Sequence, residues 1–396
     1  MKTFSTKQLE LLKLFCRGGL KRINILEGSV RSGKTRISII IWILWVASSP
    51  KSHDFLMSGK TLTALKRNCL DLIEELVGTK NFVYSVSKKE AYLFGRRIYL
   101  EGASDSRAES KIRGMTLMGA YCDEVTLFDE SFFSMLLSRL SLPGAKLIAT
   151  TNPDSPNHWL MRKYISRRDE LDMLCMKFTI DDNCFLDREY VESLKNEYSG
   201  VFYERFILGN WVLAEGLVYP MFSPEKHIVK TGDEENGDGL YYISVDYGTL
   251  NPCSMGLWRI DGRDAVRIKE YYHDGRNSHI QKTDEEYYNA LSELAGGRVI
   301  QCIVIDPSAA SFIELIRRKG EYSVRKAQNN VLDGIRCVCS MLSAGRIFIN
   351  ECCRDAIREF SMYTWDIESG EDKVIKENDH SMDDIRYFCN TILKRM

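Results

Sequence analysis

The sequence predicts an α/β protein of two domains, the first built on a mainly parallel sheet and the second a mixed α/β domain. Three observations carry this. Apolar strand-like runs alternate with helical patterns from the start of the chain, as in parallel sheets covered by their crossover helices. A glycine-rich turn at 28–35 lies between an apolar strand and an apolar helix. Two later apolar strands each end in an aspartate, ahead of a final amphipathic helix.

In chain order, Arg22–Leu26 reads as a short buried strand, followed by the turn and a helix from Thr35. Further strands are expected at Phe55–Ser58, Arg97–Leu100, Leu117–Cys122 and Lys146–Thr150, with helices at Leu62–Val77 and Glu130–Leu140. In the second half, Leu240–Asp246 and Asn251–Trp258 read as a hairpin, Val299–Ile305 as another strand, and the segment from Asn378 opens the last helix. The acidic, glycine-rich run Gly232–Gly239 is a connecting loop.

The composition sets bounds. With 396 residues, 44 % hydrophobic and 28 % charged, the chain can bury two or three cores and is neither disordered nor collagen-like. A net charge of -1 means that any nucleic-acid contact must come from local basic patches. The pairs and triplets Arg96-Arg97, Arg162-Lys163 with Arg167-Arg168, and Arg317-Arg318-Lys319 could contact phosphates or form solvated faces. The run Ile37–Ala47 is too short to cross a bilayer, so no membrane segment is expected. The start, Met-Lys-Thr-Phe-Ser, lacks a signal peptide, which points to a reducing compartment. The 12 cysteines lack metal-ligand spacing and read as ordinary buried thiols.

Gly28-Ser-Val-Arg-Ser-Gly-Lys-Thr35 fits G-x-x-x-x-G-K-[ST] without a mismatch. Gly28, Ser29, Ser32 and Gly33 would wrap a phosphate, Lys34 would reach the β/γ-phosphates of ATP, and Thr35 would hold Mg²⁺. A second Ser-Gly-Lys-Thr at 58–61 lacks the first glycine, since Asp54 stands there. Asp123 and Glu124 end an apolar strand. Asp123 would hold Mg²⁺ through water and Glu124 would polarise the attacking water. Thr150-Thr151-Asn152-Pro153 closes another strand and could sense the γ-phosphate, although Thr-Asn-Pro is also a plain turn. Arg31, inside the loop, could stabilise transition-state charge in cis. Gln8 could pair with the edge of adenine or lie on the surface of a first helix.

Asp246 and Asp306 close apolar strands, and His380 and Asp383 stand three apart on one face of the last helix. Each aspartate alone is as well explained as a cap or a turn. Together, in the order strand, strand, helix, they suggest an RNase H-like nuclease holding two divalent metals, Mg²⁺ or Mn²⁺. Asp379 and Asp384 are further acids in the same segment.

These motifs, in this order, resemble the large terminase subunit of tailed bacteriophages, in particular the prophage-type family of short terminases. The similarity extends over almost the whole chain. It includes Lys111-Ile-Arg113-Gly114, Leu208-Gly-Asn-Trp211, Val245–Pro252, Ile305–Ser308, Asn329–Ile335 and His380–Tyr387. In that family the last motif usually reads His-x-x-Asp-Ala-x-Arg-Tyr; here Asp384 replaces the Ala and adds a charge near the metals. The resemblance implies that Asp246, Asp306 and Asp383 ligate metal with His380 close by. It implies an ATP-driven motor that packages double-stranded DNA into procapsids, with a nuclease that cuts concatemers in the cytoplasm of a bacterial host. It also implies a ring on the portal protein and a small terminase subunit as partners. The expected division is an ATPase at 1–182, a helical linker at 183–215 and a nuclease at 216–396. Two other readings stand beside this one. The first is a helicase-nuclease of DNA repair or recombination. In the second, the C-terminal half only binds nucleic acid.

Overall fold

The computed structural model describes residues 4–104, 107–230 and 239–396. Most of the acidic connector (232–238) and the first three residues, read above for a leader, lie outside the described residues. The chain divides into two compact units. One comprises Met1–Val191 with Tyr203–Leu213, the other Glu192–Phe202 with Ala214–Met396.

The first unit holds an eight-stranded sheet: β1 Ile23–Gly28, β2 Asp54–Gly59, β3 Phe82–Ser85, β4 Glu90–Leu93, β5 Arg96–Gly102, β6 Leu117–Cys122, β7 Lys146–Thr151 and β8 Met173–Phe178. Their spatial order is β3-β4-β5-β2-β6-β7-β1-β8. From β5 to β8 every pairing is parallel, while β4 and β3 extend one edge antiparallel. The helix Lys34–Ser48 is apolar almost all round, and Ile37, Ile39, Ile41, Trp42 and Val46 are buried in it. A helix of that composition can only sit in a core. Phe132, Phe133 and Leu136 of the helix Glu130–Arg139 belong to a second core cluster of this unit.

The second unit holds seven strands: β9 Ile228–Val229, β10 Leu240–Asp246, β11 Cys253–Asp261, β12 Asp264–His273, β13 Ile300–Ile305, β14 Val324–Lys326 and β15 Ile347–Asn350. Their order, β14-β13-β10-β11-β12-β15-β9, mixes antiparallel β10/β11/β12 pairs with parallel pairs on both sides. Alternation along β10 sends Ile243 and Val245 into a core with the helices Asp284–Ala295 and Ala310–Lys319. The opposite side, with Tyr242, Ser244 and Asp246, meets the helix His380–Thr391. There Phe388 stacks on Trp258 with ring centroids 4.3 Å apart.

The sequence reading did not place β3, β4, β8, β12, β14 or β15, most of which are short or of mixed polarity. One expectation is corrected outright: Arg96-Arg97 is not a phosphate-contacting patch. The Arg96 guanidinium is buried and donates to the carbonyls of Ala47 and Ser49, satisfying the end of the helix Lys34–Ser48. Arg97 makes a two-pronged pair with Asp54. Lys163, Arg167 and Lys319 are engaged with Glu130, Glu170 and Glu285. The cysteines are free thiols, most of them in the cores. Among the described residues no helix is long and apolar enough to cross a membrane.

Candidate active sites

In the first unit, β6, β7 and β1 are neighbours and run parallel. Their carboxyl ends therefore bring together Asp123-Glu124, Asn152 and the loop 28–35, although about a hundred residues separate the first acid from the loop. Ligands of open α/β sheets bind at this edge. Gly28 has φ 130°, and a Cβ there would stand 1.8 Å from the Phe178 carbonyl oxygen, so only glycine fits. The Lys34 ammonium is buried and donates to Ser29 O at 3.0 Å and to Asn152 Oδ1 at 2.6 Å. Burial pulls its pKa below the ordinary lysine value, against the opposing pull of Glu124 and Asp123.

The buried hydroxyls of Ser29 and Ser32 have no hydrogen-bond partner among the described residues. Buried polar groups ordinarily find partners. Two orphaned hydroxyls beside a buried cation at a helix N-terminus suit a phosphate chain. Thr35 lies in the first turn of that helix. Arg31 is exposed, sits in the left-handed region at φ 55°, and its carbonyl accepts from Asn183 Nδ2 at 2.6 Å.

Asp123 is buried and accepts from Thr150 Oγ1 at 2.9 Å and from Asn68 Nδ2 at 3.0 Å. Glu124 also has a left-handed backbone, φ 58°, a conformation costing roughly 1–3 kcal/mol for a non-glycine residue. It is held there by donation from its own N–H to Thr150 Oγ1 and from Asn152 Nδ2 to its carboxylate at 2.8 Å. Burial pushes the Glu124 pKa up, with Lys34 opposing. Asn152 thus bridges Lys34 and Glu124, accepting from one and donating to the other.

Gln8 is buried against the loop. Its Oε1 accepts from Ser5 N at 3.0 Å and its Nε2 donates to Gly33 O at 3.2 Å, so the amide ties the first helix to the phosphate loop. Leu208-Gly-Asn-Trp211, read from sequence only as a marker of the family, also packs on the loop. Val30 N donates to Phe206 O at 2.9 Å, and Trp211 Nε1 donates to Glu27 Oε2 at 2.6 Å.

In the second unit, β10 and β13 are parallel with Val245 opposite Ile305, so Asp246 and Asp306, each one residue further on, end at the same edge. His380 Nδ1 lies 2.9 Å from Asp246 Oδ2. The Tyr387 hydroxyl donates to Asp306 Oδ2 at 2.8 Å and lies 3.5 Å from Asp246 Oδ1, linking the two aspartates. Asp383 accepts from Arg386 at 2.8 Å, with Lys376 at 3.6 Å from its other oxygen. The helix Val331–Ser343 makes room for that arginine at Gly334, where a Cβ would stand 2.1 Å from Arg386 Cγ. Asp246, His380 and Asp383 line an open cavity of about 940 Å³.

Burial is the main cause pushing the Asp246 carboxyl up to about 6; His380 opposes it and Asp383 adds to it. Burial also works to raise Asp306, but hydrogen bonds from Ser308 and Tyr387 hold it below the usual range. These are hard oxygen donors, and they suit a divalent cation. Among the described residues no three His, Cys, Asp or Glu side chains already converge as a ligand set.

Asp384 belongs elsewhere. It is fully buried and turned into the sheet, where both its oxygens meet the Arg267 guanidinium and the hydroxyls of Ser244 and Ser254 donate to it. The extra charge in the last motif is therefore neutralised in the core. Asp384→Ala leaves the buried Arg267 with only Glu270, at 3.6 Å, to answer its charge, and the expected loss is about 3 kcal/mol. Combined with Arg267→Met it should cost much less. Denaturant midpoints of both variants check this.

Three contributors were given no role of their own in the sequence reading. Tyr387 could have been found, because positions 380, 383 and 387 share one helical face. Asn152 was noted only as part of its motif. Nothing in the sequence pointed to Asn68.

Residues 25–224 match the family described as terminase large subunit, T4likevirus-type, N-terminal. The large terminase of a thermophilic bacteriophage is similar in structure, with 39 % identity and a TM-score of 0.92 over 99 % of this chain and 100 % of that one. The same thermophilic phage protein in complex with ATP-γ-S matches at a TM-score of 0.88 and 39 % identity, over 98 % of this chain and 99 % of that one. The terminase large subunit of Escherichia phage T5 is 22 % identical over 303 residues, which is 72 % of this chain and 67 % of that protein. With a family match over half its length and a structural relative along nearly all of it, the chain belongs to the phage large terminase subunits.

Proposed function

We propose that this large terminase is both the ATP-driven motor and the metal-dependent nuclease of a DNA-packaging machine. The division would be an ATPase at 1–182, a linker at 183–215 and a nuclease at 216–396. Its substrates would be ATP and concatemeric double-stranded DNA. Its partners would be a small terminase subunit and a procapsid portal on which it forms a ring, in the cytoplasm of a bacterial host.

The observation that carries the motor half is the Asn152 bridge between Lys34 and Glu124. Lys34 and the Ser29 and Ser32 hydroxyls bind the phosphates, and Glu124 takes the proton side of the attacking water. Arg31, at the exposed tip of the loop, offers positive charge to the transferring phosphoryl group. When a γ-phosphate draws Lys34 to itself, Asn152 loses an acceptor contact and its grip on Glu124 shifts, coupling nucleotide state to β7. Gln8 holds the loop backbone through Gly33, and beside it a cavity of about 590 Å³, with Phe4 and Leu9 among its walls, offers space for the base. Thr35 and Asp123 would hold Mg²⁺.

In the second unit Asp246, Asp306 and Asp383 would hold two divalent metals, Mg²⁺ or Mn²⁺, with His380 orienting Asp246. Bound metals supply an activated water and charge neutralisation at the scissile phosphate. Tyr387 keeps the Asp246 and Asp306 carboxylates in register. Arg386 holds one oxygen of Asp383, and the other, 3.6 Å from Lys376, would be the one offered to a metal.

A packaging motor moves along duplex DNA without opening it. With ATP, the protein should displace a third-strand oligonucleotide from a triplex while the duplex beneath stays paired. Separated strands would instead favour the repair-type helicase-nuclease.

A further inference from the structure

The helical run Leu62–Val77 is not a regular helix. An α-helical turn at Leu62–Leu65 passes into a π-turn at Lys66–Leu70 and returns to α-helix at Asp71–Val77. A π-turn inserts one extra residue, so it re-aims the side chains next to it, and such turns cluster at functional sites. Here it lets Cys69 and Leu70 both enter the core while Asn68 reaches Asp123.

The Asn68 amide is oriented. Its Nδ2 donates to Asp123 Oδ2 at 3.0 Å, and its Oδ1 accepts from Arg67 Nε at 3.4 Å. Thr150 donates to the other Asp123 oxygen at 2.9 Å, so neutral donors grip the carboxylate on both sides. The Cys69 thiol is buried against the same carboxylate and Tyr121. The Tyr121 hydroxyl lies 2.9 Å from Ser38 Oγ, which donates to the Thr35 carbonyl at 2.9 Å. The π-turn, Asp123 and the first turn after the phosphate loop therefore form one connected network.

We propose that Asn68, presented by the π-turn, is the positioning residue that holds the Asp123 carboxylate for Mg²⁺; this rests on the ATPase reading above. A neutral amide suits the task. It fixes one carboxylate rotamer without cancelling the charge that attracts the metal, whereas a lysine or arginine there would compete with the cation.

The test is binding of a fluorescent ATP-γ-S analogue to the full chain, in EDTA and in Mg²⁺. Wild type should gain affinity when Mg²⁺ is added. Asn68→Ala should bind as wild type in EDTA but lose about 10-fold or more of that Mg²⁺-dependent gain. Asn68→Leu, close in shape but without the donor, should lose it too. An undiminished gain in Asn68→Ala overturns the proposal. So does an equal loss in EDTA and in Mg²⁺, which marks a structural effect. A wild-type protein that binds no nucleotide in either condition would instead overturn the ATPase reading itself.

Discussion

Replacing Lys34 with alanine should abolish measurable ATP hydrolysis and leave metal-dependent DNA cleavage in place. The Lys34 ammonium is buried in the phosphate loop, where the residue is only 4 % exposed. It shares the loop with the orphaned Ser29 and Ser32 hydroxyls and is linked through Asn152 to the carboxylate of Glu124. A buried preorganised charge of this kind contributes about a hundredfold to a thousandfold in rate. Its removal also takes away the charge that opposes protonation of Glu124, so less of that residue is present as the carboxylate that can act as a base. Asp246, Asp306 and Asp383 belong to the other compact unit. Steady-state phosphate release and plasmid cleavage, measured on the same folded preparation, check both halves. Loss of both activities would contradict two separable sites.

Asp306→Asn should have the converse effect: cleavage by the full chain in Mn²⁺ falls roughly a hundredfold or more, and ATP hydrolysis stays at the wild-type rate. Asparagine keeps the shape of the side chain but only one acceptor oxygen, and Tyr387 and the Ser308 amide donate to different oxygens of Asp306, so one of the two is still answered. The negative charge and one accepted hydrogen bond are lost, with little change in packing. Hydrogen bonds from Ser308 and Tyr387 hold Asp306 below the usual carboxylate range. A fall in cleavage with an unchanged melting temperature therefore reports on charge at the site rather than on folding. Removing the metal from wild type with EDTA should give the same result. Undiminished cleavage by Asp306→Asn would place the nuclease elsewhere. Cleavage absent from wild type and variant alike, with no Mn²⁺ bound, would make the second unit a binding module.

The difference between Asp383 and Asp384 shows how far the sequence reaches. Both stand in the last motif, one residue apart, and composition does not distinguish them. Around a helix one residue is a turn of about 100°. That rotation puts Asp383 on the cavity wall with His380 and sends Asp384 into the sheet toward Arg267, which lies on a strand more than a hundred residues earlier. The arginine that neutralises it has no sequence signature. Arg96 and Arg97 teach the same lesson. As a pair they read as a basic patch, but one closes the end of a helix and the other answers Asp54.

What the sequence by itself determined is local. A strand, a glycine-rich turn and an apolar helix specify the phosphate loop, because the glycines, the lysine and the helix N-terminus act within eight residues. An aspartate at the end of an apolar strand is likewise visible, since the strand's buried pattern and the polar break that ends it are adjacent. Only the tertiary structure decided which strand ends meet. The sheet order sets β6, β7 and β1 side by side, and the parallel register of β10 and β13 aligns Asp246 with Asp306. It also decided the roles of Asn152, Tyr387 and Asn68. Their function is a hydrogen bond to a partner distant in the chain, and the direction of a side chain toward such a partner is set by packing, which no local pattern encodes.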